Sequence, residues 1–162
     1  MGIGIDNFSA HDLDAIDWKL LEILQENGKI TTKEIAKLVN LSPTPVYERI
    51  KRLEKDGFIK KYVALVEADK VGKSLTVFCN VTLKEHTREI GNQFVKDIIA
   101  LHEVSECYNI SGDYDFMLKI MVRDMKHYQE FVINDLGAIN NIGSAHSTFV
   151  MGVIKHSYSV PM

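Results

Sequence analysis

No stretch of this sequence approaches the roughly 18 consecutive apolar residues of a membrane-spanning helix, so no helical span is expected. The opening, MGIGIDNFSAHDLD, has no basic segment followed by an apolar one and gives no sign of a secretory leader. Asp6 stands where a myristoylation signal wants Ser or Thr. The expected address is cytoplasmic. Cysteine is scarce. Cys79 and Cys107 lie in strand-like apolar segments, outside any CxxC or Cys/His spacing, which points to two buried reduced thiols. The histidines at 11, 86, 102, 127, 146 and 156 show no HxxxH or HExxH spacing, so no metal is expected. A Gly-rich phosphate loop and a GxSxG elbow are also missing. Asp113 and Asp115, two apart in a turn, do not make an acid–base pair. No catalytic constellation and no cofactor is expected, and the chain does not read as an enzyme.

What is present is ordinary globular material: 46% hydrophobic and 25% charged residues over 162, enough for one medium domain or two small ones. The net charge of -3 does not suggest nucleic acid, but its distribution does. From Ser42 to Tyr62 six basic residues face three acids, while from Val63 onward nine face twelve. A local field steers a phosphate backbone even when the total charge does not; a solvated helix face is the plainer reading of such a run.

Leu13, Ile16, Leu20, Ile23 and Leu24 recur at helical spacing and predict an amphipathic helix over 13–27, stopped by Asn27-Gly28. Thr31 and Glu34 form a capping box that opens a second, short helix with Ile35, Leu38 and Val39 inside. Asn40 suits the left-handed backbone of a tight turn. Ser42 is then the expected cap of a third helix, with Pro43 at its first position and the Thr44 N–H as the partner of the Ser42 hydroxyl. Val46, Ile50 and Leu53 face inward, and Gly57-Phe58 supplies a Schellman-type stop. Three short helices with a tight turn before the third fit a helix-turn-helix whose third helix enters the major groove. Thr44, Tyr47, Glu48 and Arg49 are the candidate base readers. Lys51, Arg52, Lys55, Lys60 and Lys61 are the candidate phosphate contacts, with Ser42 and Pro45 at the groove-facing start of the helix.

Beyond residue 58 the elements alternate. Ile59–Val66 reads as a connecting strand, followed by a strand over 74–83, a helix over 87–101 and a strand over 103–111. Another strand covers 114–122, a helix capped by Asp124 follows with Tyr128, Phe131, Val132 and Leu136 inside, and a long strand over 142–157 closes the chain. The order βαββαβ is the ferredoxin-like split motif, with both helices on one sheet face. A small domain cannot leave the other apolar face wet, so burial against a second copy and a homodimer are expected.

Several motifs in order resemble the Lrp/AsnC family of feast/famine regulators. Leu13-Asp14-x-x-Asp17-x-x-Leu20-Leu21, Leu41-Ser42, Arg49-Ile50, Arg52-Leu53-Glu54 and Gly57-Phe58-Ile59 match its DNA-binding half. Glu103-Val104, Ser111-Gly112-Asp113-Tyr114-Asp115-Phe116 and Thr148–Lys155 match its ligand domain. The resemblance implies an α+β chain: a winged helix-turn-helix over 11–61, a connecting strand or linker over 62–73 that pairs across the dimer, and a ferredoxin-like effector-binding domain over 74–158. It implies a transcription regulator bound to double-stranded DNA, an amino-acid effector held between ligand domains, and dimers that associate further, usually into octamers.

From the residues alone, Ser111–Asp115 is either an ordinary hairpin turn with an Asx-type cap or a backbone cradle for a carboxylate, with Asp115 holding an ammonium. The resemblance favours the second and assigns the effector to Gly112, Asp113, Tyr114 and Asp115, with Thr148, Phe149 and Val150 on the last strand. Tyr108 and Met117 could wall that pocket or simply fill the core. Haem-pathway decarboxylases acting on sirohaem resemble the same family and are the enzyme alternative.

Overall fold

A computed structural model of the chain describes residues 13–162, so the domain start at 11 and His11 lie outside the described residues. Contacts divide the chain into two units: 13–65 together with Lys155–Met162, and Val66–Ile154.

The first unit holds α1 (Ala15–Glu26), α2 (Thr32–Leu38) and α3 (Pro43–Lys55) around Leu20, Ile23, Ile35, Ala36, Val46, Ile50 and Leu53. Asp14 caps α1 by accepting from the Ile16 and Asp17 N–H groups, and Asp17 reaches back to the Asp14 N–H. The Thr31/Glu34 box opens α2 as expected. At its end Asn40 adopts φ 54, the Leu41 N–H donates to Ala36 and the Asn40 N–H to Lys37. This is a full Schellman closure with Asn in place of Gly. Ser42 occupies the cap position of α3 but its hydroxyl makes no capping bond, contrary to expectation. A cap side chain usually accepts from the second or third helical N–H. Pro45 removes the third, and the remaining Thr44 N–H is not taken. At the other end Gly57 sits at φ +80 and donates to Glu54, while the Leu53 carbonyl accepts from Ile59 instead of Phe58.

The expected strand over 59–66 does not form within the chain: 60–67 has no ladder partner, and Tyr62, Val63, Leu65 and Val66 are exposed. A strand requires a neighbour to satisfy its backbone, and none of the described residues supplies one. The chain's end returns to α1 instead, where the Gln25 side chain takes the Val160 N–H at 2.6 Å and donates to its carbonyl at 3.3 Å.

The second unit contains β1 (Leu75–Leu83), α4 (Arg88–Ile99), β2 (Val104–Asn109), β3 (Phe116–Val122), α5 (Met125–Phe131) and β4 (Ile142–Phe149). The sheet order β2-β3-β1-β4, antiparallel throughout, is the ferredoxin-like arrangement. Val77, Cys79, Val81, Leu83, Phe116, Leu118, Ile120 and Val122 bury one sheet face against Phe94, Ile98, Tyr128, Phe131 and Leu136. Asp124 caps α5 through the His127 N–H, but α5 widens into a π turn over Val132–Leu136. There the Gly137 N–H donates to Val132, and a Cβ at 137 would stand 2.9 Å from two carbonyl oxygens. Only glycine fits that approach.

The last strand is shorter than expected. It ends at Phe149, and Met151, Val153 and Ile154 run on exposed with no ladder. The cysteine expectation also needs correcting: Cys79 is fully buried, but Cys107 is only partly so. Burial pushes both thiols up. Titration of the native protein with an aromatic disulfide is expected to modify Cys107 first and leave Cys79 protected until unfolding. Equal native reactivity of the two would contradict this packing.

Candidate DNA interface and effector site

The α3 surface opposite its buried Val46–Ile50–Leu53 stripe presents Thr44, Tyr47, Glu48, Lys51 and Arg52, all exposed, with Ser42 and Pro43 at its start and Pro45 half-buried. Lys51 pairs with Glu54 at 2.7 Å and lies 5.7 Å from the Tyr47 ring centroid. The Glu54 hydrogen bond holds the Lys51 ammonium above its ordinary range. Glu54 also accepts from the Tyr62 hydroxyl.

The two arginines behave differently from a simple groove face. Asp17, its side chain 1% exposed, takes Arg49 Nη1 at 2.8 Å on one oxygen and Arg52 Nη2 at 2.5 Å on the other. Arg49 Nη1 also meets the Asp14 carboxylate at 2.7 Å. The guanidinium of Arg49, a candidate base reader, is thus committed to α1, and its side chain is 26% exposed. Arg52, a candidate phosphate contact, is tied by one nitrogen and remains 48% exposed. The sequence reading missed Asp17 as a partner. The signal was available, because Asp17 lies on the same helical stripe as Leu13, Leu20 and Leu24. An acid on a buried stripe requires a cation.

The Asp17 N–H holds the Asp14 carboxyl below the usual carboxylate range; burial opposes this, and Arg49 adds to the lowering. A folded-state value that is depressed contributes stability above the unfolded value and loses it as pH falls through the folded one. Trp18, the single tryptophan, lies in α1 and reports on this unit. Its thermal transition is expected to weaken below about pH 4, where an ordinary aspartate begins to protonate. Asp14→Ala should flatten that acid limb; an unchanged limb would show that Asp14 does not carry it.

In the second unit the turn after β2 is anchored by Asp115. Its N–H donates to Val81 and its carbonyl accepts from the Ile110 N–H and from Asn109 Nδ2. Its carboxylate takes the Leu83 N–H at 2.8 Å and His86 Nε2 at 3.1 Å. The side chain therefore closes the end of β1, where the pairing with β4 shifts register between Thr82 and Leu83. Asn109 and His86 were not anticipated. Gly112 adopts φ +123 with open space about it. Among the described residues the N–H groups of Ser111, Gly112, Asp113 and Tyr114 have no protein acceptor. The Tyr114 ring lies 5.5 Å from His146.

The other candidate effector residues lie elsewhere on the sheet. Thr148 is opposite Phe78 and Phe149 opposite Val77, while the Val150 N–H donates to Thr76. The turn instead sits beside Val81–Leu83, so about 10 Å or more of strand separates the two groups at ~3.3 Å per residue. Thr148 faces away from the helices, and Phe149 faces toward them, edge-on to Tyr128 at 5.2 Å. One chain does not bring the seven residues together. A groove of about 590 Å³ between α4 and residues 138–141, lined by Ile90, Phe94, Asp97, Leu101, Ile139 and Asn141, is lined by none of them. Tyr108 and Met117 occupy neighbouring positions on the open sheet face, and Tyr108 bonds to Glu106, which also pairs with Lys119 at 2.7 Å.

No described helix is long and apolar enough to cross a membrane. A winged helix-turn-helix DNA-binding family model matches residues 13–60, and an Lrp/AsnC ligand binding domain model matches 76–160. The leucine-responsive regulatory protein of Escherichia coli K12 is 38% identical over 146 residues, covering 90% of this chain and 89% of that one. A transcriptional regulator of Neisseria meningitidis, solved as its L-Met complex, is 34% identical with a TM-score of 0.89, covering 92% of this chain and 96% of its own. An AsnC family transcriptional regulator of Agrobacterium tumefaciens is 36% identical with a TM-score of 0.88, covering 92% and 97%. With both halves matched in order and the fold in agreement, this chain belongs to the Lrp/AsnC family of DNA-binding transcription regulators that carry a ligand-binding domain.

Proposed function

We propose that the chain is a cytoplasmic, sequence-specific regulator that binds double-stranded DNA through α3 and changes its DNA affinity or assembly when an amino acid binds between its ligand domains. The observation that carries the effector half is the Ser111–Tyr114 turn, whose four N–H groups have no internal acceptor and point to a carboxylate ligand. The separation of Gly112, Asp113, Tyr114 and Asp115 from Thr148, Phe149 and Val150 supports a pocket completed by a second chain. Apolar amino acids are the first candidates, since relatives are named for leucine and for an L-Met complex.

Two unsatisfied surfaces support assembly. The strandless 60–66 segment has free backbone groups and exposed apolar side chains. The open sheet face carries Phe78, Tyr108, Met117 and Met121. A homodimer covers both, and association of dimers into an octamer is the assembly proposed. Thr44, Tyr47 and Glu48 are proposed to read bases, with Ser42, Pro45, Lys51 and Arg52 along the phosphates. We propose action by binding alone: Asp14, Asp17 and Asp115 each serve structural bonds.

A thermal-shift screen of the twenty amino acids tests the sensor, because a ligand of the folded state raises its midpoint. At least one apolar amino acid should do so, and no shift with any of them would remove the effector claim. Mobility shifts on the gene's own upstream segment test the DNA claim. Carbon dioxide release from sirohaem would replace both with the decarboxylase reading.

A further inference from the structure

The two α3 arginines meet one carboxylate in unlike ways. Arg49 spends a single nitrogen on two acids, Asp14 and Asp17, and so ties α3 to the start of α1. Arg52 gives only Nη2 to Asp17 and stays half-exposed. A guanidinium is a rigid planar fork with five N–H donors. Fixing one of its nitrogens on a buried carboxylate fixes the direction of the donors that remain. Asp17 is well placed to do this. Its side chain is 1% exposed, both oxygens are engaged, and its own backbone is fastened by the Asp14 cap.

We propose that Asp17 is a positioning residue for DNA recognition, which grips Arg52 by Nη2 so that its remaining N–H edge is presented to a phosphate, while Arg49 acts as a strut and not as a base reader. The proposal rests on the DNA-binding reading of α3 and assigns the parts within it. Phosphate contacts set the register of a recognition helix in the groove. A held arginine therefore contributes to specificity as well as to affinity. A lysine at 52 keeps the charge, but its single ammonium cannot bridge carboxylate and phosphate with one planar group.

The test uses the full-length protein and a DNA duplex enriched by the wild-type chain from a randomised library, with a scrambled duplex as the non-specific probe. Asp17→Asn is expected to lower affinity for the enriched duplex by about tenfold (about 1.4 kcal/mol) with little change on the scrambled one. Arg52→Lys, on the exposed side of the pair, should give a similar loss, and the double variant should be hardly worse than either single, as for residues acting through one interaction. A purely structural role for Asp17 would lower the melting temperature while leaving the ratio of specific to non-specific affinity at the wild-type value well below that temperature. That result, or additive losses in the double variant, overturns the proposal. Failure of the wild-type chain to enrich any sequence would instead overturn the DNA-binding reading and the proposal with it.

Discussion

Replacing Phe94 by alanine is expected to cost about 3–5 kcal/mol, the range for emptying a buried phenylalanine site. Phe94 is 1% exposed and sits at the centre of the ligand unit, its ring 4.6 Å from that of Phe116. It lies on α4 and Phe116 opens β3, so the pair joins the helix layer to the sheet. Interiors pack densely, and the neighbours around such a site close only part of the void. A loss of this size in a domain of this length lowers its midpoint by more than about 10 °C. The effect should stay within the ligand unit, because the two cores share no buried residue. Calorimetry should show one transition moving down while the Trp18 fluorescence transition holds its place. A loss below about 1 kcal/mol would mean that the site refills and the contact is not central.

Arg49→Ala is expected to have the second largest effect, about 2–4 kcal/mol, read in the Trp18 transition of the helical unit. Its origin is different. No large void is made; a carboxylate that is 1% exposed loses the partner of one oxygen. Breaking a fully buried pair by removing one partner costs about 3–5 kcal/mol. The lower figure applies because Arg49 itself is 26% exposed and Arg52 still engages the other Asp17 oxygen. Removing both charges, as in Asp17→Asn with Arg49→Gln, should recover part of the loss, since an unmatched buried charge costs more than a neutral pair. A double variant no more stable than Arg49→Ala would show that packing of the arginine stem, not charge, dominates.

Much of this architecture was legible because burial imposes a period. The stripes Leu20–Ile23 and Val46–Ile50–Leu53 gave two helices to within a residue or two, and the alternation of apolar Phe116, Leu118 and Ile120 gave the buried face of β3. The βαββαβ order followed from the same signals, and with it the fold. What was misjudged depended on partners that a local pattern does not contain. Residues 59–66 and 151–157 have strand-forming side chains, but strand formation needs a neighbouring backbone, and in the single chain neither segment forms a ladder. The Ser42 cap is a separate case: the Thr44 N–H, the one usual donor that Pro45 leaves, is not taken by the hydroxyl.

The site was legible in kind and not in arrangement. The outward face of α3 came directly from its inward one. The stripe of α1 marks Asp17 as a buried acid, but which arginines it engages, 32 and 35 residues later, is beyond the reach of a periodic reading. The Ser111–Asp115 turn was singled out by its glycine together with the family resemblance, and in the structure Asp115 closes β1 through the Leu83 N–H. The offset of Thr148 and Val150 from that turn is a matter of sheet register, set by which β1 residue faces which β4 residue.

The contact between Gln25 and Val160 bears on how the gene can be dissected. The first unit is not one continuous stretch of coding sequence. Its helices come from 13–65 and its last piece from Lys155–Met162, with the whole ligand unit inserted between them. A fragment ending at Leu65 strips α1 of the exposed tail whose Val160 N–H and C=O its glutamine holds, and leaves that amide to water. Such a fragment and the terminal octapeptide are two parts of a single folded body, divided by an insertion.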